Sequence, residues 1–194
     1  MTFNGINPFR IIWSYKYTLF HPTQHLFYFF YFNAAMRGKF NNFTIILVCA
    51  PTEERDKLVK DFFYDKLNQI YQRIPAHDTE IIVGDFNAKS GREEVFKLDI
   101  GKCSLHATSN ENVNSAIDFA PDDVMIIKGT YFPHKNVHKE TWQSPDGITN
   151  NQVDHVDERH TSSIMDVRSY RGVGCYWDYH LVQIKYQHKI SKEV

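Results

Sequence analysis

The chain has 194 residues, 42% of them hydrophobic and 23% charged, and a formal net charge of −1. This composition suits one globular domain with a sizeable core and excludes wholesale disorder and a fibrous repeat. With a pI of about 6.8, global charge does not draw the chain to nucleic acid, so such binding requires a local basic surface. Cys49, Cys103 and Cys175 are far apart and form no C-x-x-C pair. An odd, scattered set argues against a disulfide framework and for a reducing compartment, the nucleus or cytoplasm. The histidine pairs His134/His138 and His155/His160 lack a cysteine pair at finger spacing, so scattered surface imidazoles are the preferred reading over zinc.

The N-terminal stretch IIWSYKYTLFHPTQHLFYFFYFNAAM is aromatic-rich, and its longest apolar run is HLFYFFYF. That run is too short to span a bilayer, and Lys16, His21, Pro22, Gln24 and His25 interrupt the wider segment. No basic region leads directly into an apolar one, so neither a transmembrane helix nor a signal peptide is expected. From residue 43 the pattern becomes regular. FTIILV is a β-branched run that predicts a buried strand ending at Ala50-Pro51. A helix is predicted next, capped by Thr52, with Leu58, Phe62, Phe63, Leu67, Ile70, Tyr71 and Ile74 as its core stripe and Pro75 as its stop. EIIV predicts a second strand, whose end delivers Asp85 and Asn87 on a polar turn after Gly84. Further short strands are predicted around 116–120, 124–127, 140–143, 152–156 and 164–167, and HLVQIKYQ alternates so that Val182, Ile184 and Tyr186 share a face. Many short strands with one clear helix predict an α/β sandwich.

Asp85, Asp154 and Asp178 each stand beside a predicted strand end and next to a hydrogen-bonding residue. Three such acids converging in space would suit Mg²⁺ or Mn²⁺, hard ions that clamp phosphate and activate water. Taken singly, each acid is better read as a turn cap or a surface ion pair.

The segments CAPTEERDKLVKDFFYDKL, PAHDTEIIVGDFNAKSG, GKCSLHATSNEN, IDFA, FPHKNVHKETWQSPDGITNNQVDHV, RHTSSIMDVRSYRG and HLV follow in this order. Together they resemble the endonuclease domain of non-LTR (LINE-type) retrotransposons and craniofacial development protein 2-like host proteins, within the endonuclease/exonuclease/phosphatase superfamily. HKETWQSPDG followed by NQVDHV is the most specific part. The resemblance covers about residues 36 to 188, with a weaker echo in FNGINPFRI. It therefore divides the chain into an upstream remnant (1–12), an aromatic-rich insert (13–35) and the endonuclease-like domain (36–194).

The resemblance implies a four-layer α/β sandwich of two face-to-face sheets flanked by helices, acting on DNA with Mg²⁺ or Mn²⁺. It implies that Asp85 orients or deprotonates the attacking water and that Asn87 holds a phosphate oxygen. Asp178 would serve, with Asp85, at the metal, and Asp154 would orient the catalytic histidine. Lys135, His138, Lys139 and Trp142 would lie against the DNA, although Trp142 equally suits a core anchor.

Departures from the family pattern qualify the activity. Where the family reads S-D-H-Y-L-V, this chain reads Trp177-Asp178-Tyr179-His180-Leu181-Val182, so His180 is one place late and is expected to face away from the centre. The family's early strands, one with a metal-site Asn and one with the metal-binding Glu, have no match before residue 36. Their loss would leave a sheet edge open, with marginal stability or pairing to another chain as the consequence. The segment after His155 is about two residues shorter than in relatives, which bears on the Asp154 strand. Three readings follow as expectations: an impaired divalent-metal-dependent phosphodiester hydrolase on DNA, a catalytically inactive remnant that binds at most nucleic acid or a partner, or a membrane-associated or aggregation-prone product of a decayed gene, signalled by the aromatic-rich segment.

Overall fold

The computed structural model describes residues 9–13, 32–37, 42–75, 78–119, 126–158, 163–171 and 179–187. Asp178, Cys175, His160 and most of the aromatic-rich segment lie outside them.

FTIILV becomes strand β3 (Asn42–Cys49) and EIIV becomes β4 (Thr79–Asp85), paired in parallel with Ile46 opposite Ile82. Parallel neighbours need a crossover, and helix α1 (Lys57–Tyr71) provides it. A five-stranded sheet forms in the order β2-β3-β4-β8-β5, with β2 at Phe32–Arg37, β5 at Ile126–Ile127 and β8 at Asp154–Glu158. A three-stranded sheet runs β1-β10-β9, with β1 at Phe9–Trp13, β9 at Ile164–Tyr170 and β10 at Leu181–Tyr186. A small hairpin joins β6 (Trp142–Gln143) to β7 (Asn150–Asn151).

The period-two alternation of the strands builds two cores. On one face of the larger sheet Ile46, Val48 and Ile82 pack with Phe63, Tyr64, Leu67 and Tyr71 of α1 and with Val113 and Ala116. On the other face Ile81, Val83 and Val156 meet Ile164, Val167, Val182, Ile184 and Tyr186 of the smaller sheet, with Ile45 and Leu47 beside them. Val182, Ile184 and Tyr186 share one buried face, as their alternation predicts. The result is a mixed α/β fold with two packed sheets and helices on one side. Among the described residues no α-helix covers the outer face of the smaller sheet, so three of the four expected layers are seen.

Several local expectations are corrected. The helix starts at Lys57, with Asp56 at its N-cap and no side-chain cap, because Thr52 to Arg55 close a separate turn first through Arg55 N–H to Thr52 O, 3.1 Å. Its buried stripe is Lys60, Phe63, Tyr64, Leu67 and Tyr71. Leu58 is 82% exposed and Phe62 51% exposed, so both leave the core. Residues 116–118 are helical, in α2 (Glu111–Asp118), where Val113 and Ala116 face the core while Asn110 occupies the N-cap. Around Gln152 the chain is not yet strand; β8 begins at Asp154. Ahead of residue 38 the chain adds two edge strands, β1 on β10 and β2 on β3, where the absence of the early family strands leads to the expectation of an open sheet edge. Among the described residues no helix is long and apolar enough to cross a membrane.

Candidate active site

At the C-terminal end of β4 the chain narrows to glycine. Gly84 has φ +140°, and a Cβ there would stand 2.0 Å from the carbonyl oxygen of Val48, so only glycine allows β3 and β4 to close at this point. The next residue, Asp85, lies opposite Asp154 in the antiparallel pairing with β8. Opposed residues in such a pair share a face, so two strands remote in sequence set two buried carboxylates side by side. Asp85 Oδ1 accepts the backbone N–H of Asn87 and Oδ2 accepts the hydroxyl of Tyr179, each at 2.8 Å. Asp154 Oδ2 is buried without a partner.

Burial drives the electrostatics of this pair. It pushes Asp85 up to about 6, against the opposing pull of the Asn87 N–H and the Tyr179 hydroxyl. Asp154 rises well above the ordinary carboxylate range, first through burial and then through the charge of Asp85. Burial and the Asp85 charge also push the Tyr179 phenol up, so it stays a neutral donor.

Asn87 follows at φ +48°, a left-handed conformation that asparagine tolerates better than most residues. Its side chain donates to Ala50 O at 2.8 Å. Its own carbonyl accepts from Asn110 Nδ2 at 3.0 Å and Asn112 Nδ2 at 3.1 Å, which staple the turn to α2. Thr141 is a second anchor. Its hydroxyl oxygen accepts the N–H groups of Val153, 3.0 Å, and Asp154, 3.1 Å, while its carbonyl accepts the His180 N–H at 2.8 Å.

His180 is half-buried, and its imidazole is pushed down by burial and by the charge of Arg171 rather than shaped by the two acids. Its Nε2 is buried without a partner. Tyr179, by contrast, responds to both acids and meets Trp142 in a backbone bridge. Trp142 is half-buried, between the two roles the sequence leaves open. Lys135 is exposed and precedes the 3-10 turn Asn136–His138, with Lys139 just after it. His138 Nδ1 lies 3.3 Å from Ser169 O and its ring packs edge-on to Tyr170, so this turn is docked along β9. His134 joins the same edge, 2.5 Å from Asp166, which also pairs with Arg168.

The donors fit a hard divalent ion in kind, with two facing carboxylates and one unsatisfied buried oxygen. In number they fall short, since no group of three or more His, Cys, Asp and Glu side chains gathers as a metal cluster among the described residues. The segment before Glu53 carries no Asp or Glu at all, so neither early strand offers an acid. The sequence reading missed Thr141, Asn110 and Asn112, whose only signal is their polar type beside strand and helix ends, and the Tyr179 contact with Asp85.

Fold and site together define a mixed α/β protein in which the larger of two packed sheets ends in a pair of facing buried carboxylates. No family model matches the chain. It is homologous to craniofacial development protein 2 of Tragulus javanicus, with 31% identity over 157 residues, 80% of this chain and 27% of that protein. Craniofacial development protein 2 of Bos taurus matches at 31% over 157 residues, 80% of this chain and 26% of that protein. The chain thus spans about a quarter of the length of these curated relatives.

Proposed function

We propose that the chain is a phosphodiester-hydrolysing domain that acts on DNA with Mg²⁺ or Mn²⁺ and whose centre is impaired in this sequence. The observation that carries this reading is the Asp85–Asp154 pair in register, with an unsatisfied oxygen on Asp154 and Asn87 fixed beside it. Asp85, with Asp178, would hold the ion, which when bound neutralises phosphate charge and lowers the pKa of water. A carboxyl held near 6 is suited to take a proton from water at neutral pH. Asp154, kept protonated by burial and its neighbour, avoids placing two negative charges together. The Asn87 amide has a second N–H beyond the one on Ala50 O, available to a phosphate oxygen. The test is nicking of supercoiled plasmid by folded protein with Mg²⁺, beside EDTA and Asp85→Ala controls. Metal-dependent nicking that disappears with Asp85→Ala supports the reading; no nicking from folded chain overturns it.

One observation favours the second reading, a non-catalytic DNA-binding remnant: Tyr179 occupies Asp85 while His180 sits beside Arg171. In that case duplex binding weakens steeply with salt and on substitution of Lys135 and Lys139, without cleavage. Salt-independent retention of DNA would count against it.

A further inference from the structure

We infer that Asp166 on β9, acting through His134, positions the Lys135–Lys139 turn as a fixed cationic contact for the nucleic-acid backbone. The inference rests on the DNA-binding readings above and needs no metal ion. Within residues 134–140 the charges divide into two kinds. His134 and Glu140, at the two ends, are tied to β9 and to the residue after it: His134 Nε2 lies 2.5 Å from Asp166 Oδ1, and Glu140 is paired with Arg171. Lys135 and Lys139, between them, have no ion-pair partner among the described residues. Lysines whose charge nothing nearby cancels suit the phosphates of a nucleic-acid backbone.

The tie holds a shape as well as balancing charge. Asp166 Oδ2 accepts the Arg168 Nε–H at 2.7 Å while Oδ1 faces His134, so both of its oxygens are engaged. The His134 and Asp166 side chains are only 17% and 19% exposed, which shields the pair from the screening that weakens most surface ion pairs. The His134 ring stacks on Phe132 and meets His138 edge-on, and His138 Nδ1 lies 3.3 Å from Ser169 O, so the middle of the turn is seated on β9 as well. Backbone bonds from His138 N–H to Lys135 O, 2.9 Å, and from Lys139 N–H to Asn136 O, 2.8 Å, close the turn itself. The chain then runs through Glu140 into Thr141, whose hydroxyl accepts the N–H of Asp154 at 3.1 Å, so the lysines are held in fixed relation to the candidate centre. Lysines fixed in advance lose little freedom on binding, whereas a loosened turn would have to be ordered by the DNA itself.

The experiment is a fluorescence-anisotropy titration of a labelled DNA duplex with the full chain, at fixed low salt and in EDTA. Wild type, Asp166→Ala, Asp166→Asn, Lys135→Ala/Lys139→Ala and the triple variant that adds Asp166→Ala to the two lysine changes are compared, each first shown to be folded by circular dichroism. His134→Ala reports on the same tie should Asp166→Ala not fold. Removing an acid beside two lysines would, by charge alone, tighten binding to a polyanion. The positioning role gives the opposite sign: Asp166→Ala is expected to weaken binding roughly fivefold, the scale of reordering a side chain or two with their loop. Asp166→Asn, which keeps an oxygen acceptor facing His134, should retain most of the affinity. The loss should be absent when the triple variant is compared with Lys135→Ala/Lys139→Ala, because the residues it acts through are gone. Unchanged or tighter binding by folded Asp166→Ala, where wild type binds and the double lysine variant is weakened, overturns the positioning role and leaves the DNA readings standing. A loss of equal size in the background without the lysines marks a general structural effect and also overturns the role. No binding by folded wild type overturns the DNA-binding readings and the positioning role together.

Discussion

Asp157 lies on β8 two residues beyond His155, with both carboxylate oxygens buried and without partners. Burial alone pushes it well above the ordinary carboxylate range. Its charge is felt by Tyr64 of α1, whose hydroxyl also lacks a partner. A carboxyl whose folded-state pKa exceeds its unfolded value disfavours folding increasingly as pH rises above about 4, because the unfolded chain releases a proton that the folded one keeps. Asp157→Asn removes that dependence. The stability difference between variant and wild type should therefore grow in the variant's favour by up to about 1.4 kcal/mol per pH unit, until the folded-state pKa is passed. Urea unfolding at pH 5 and pH 7 measures it, and a pH-independent difference would refute the buried-acid account. The comparison must be between variants because His155 acts the other way. Its Nε2 donates to Ala88 O at 2.6 Å, and burial pushes the ring down to about 4. Stability that His155 contributes above pH 6.5 is accordingly lost as pH falls toward 4.

At the level of elements, helix α1 and the β3–β4 pair separate what pattern shows from what packing decides. Leu58, Phe62, Phe63 and Leu67 all fit a helical apolar stripe, yet the buried face is centred on Phe63, whose ring packs edge-on to Tyr64 at 5.0 Å. Phe63→Ala should cost about 3–5 kcal/mol. Phe62→Ser, at a ring lying outside the core with Lys66 over it at 5.6 Å, should change stability by about 0.5 kcal/mol at most. Denaturant midpoints of the two variants test the assignment, and similar losses would refute it. At Gly84, alanine would meet the Val48 carbonyl at 2.0 Å in a backbone conformation that side chains rarely adopt. Gly84→Ala should cost at least about 3 kcal/mol, read as loss of soluble folded protein or a collapsed unfolding midpoint. β3, β4 and β10 were legible in the sequence because β-branched runs and clean alternation survive in them undiluted. Residues 116–118 were not, because the short run NVNSAIDF suits either period, and the helix wins through the packing of Val113 and Ala116 against the core.

For the molecule as a whole, the legible part of the site was the set of residues, not their meeting. Asp85 and Asp154 share no local pattern; their places beside strand ends raise the prospect of convergence, but only the β4–β8 register joins them. The early strands show the same limit more strongly. FRIIW and FNAAMR lie on either side of an aromatic-rich segment, and their partners are far along the chain or across a turn, so no local period announces them. In the structure β1 pairs with β10 from Phe9 opposite Tyr186 to Trp13 opposite Val182, and β2 pairs with β3 from Phe32 opposite Leu47 to Arg37 opposite Asn42. Both sheets therefore draw an edge strand from the region ahead of residue 38. A chain beginning at residue 38 would leave the backbone edges of β10 and β3 open, where Ile184 and Ile46 sit in the two cores. Open edges beside buried apolar residues invite strand addition by a second copy. The shortened chain should thus unfold at lower denaturant than the full chain and sediment partly as dimers or larger species, whereas a truncated chain of equal stability that stays monomeric would show β1 and β2 to be dispensable.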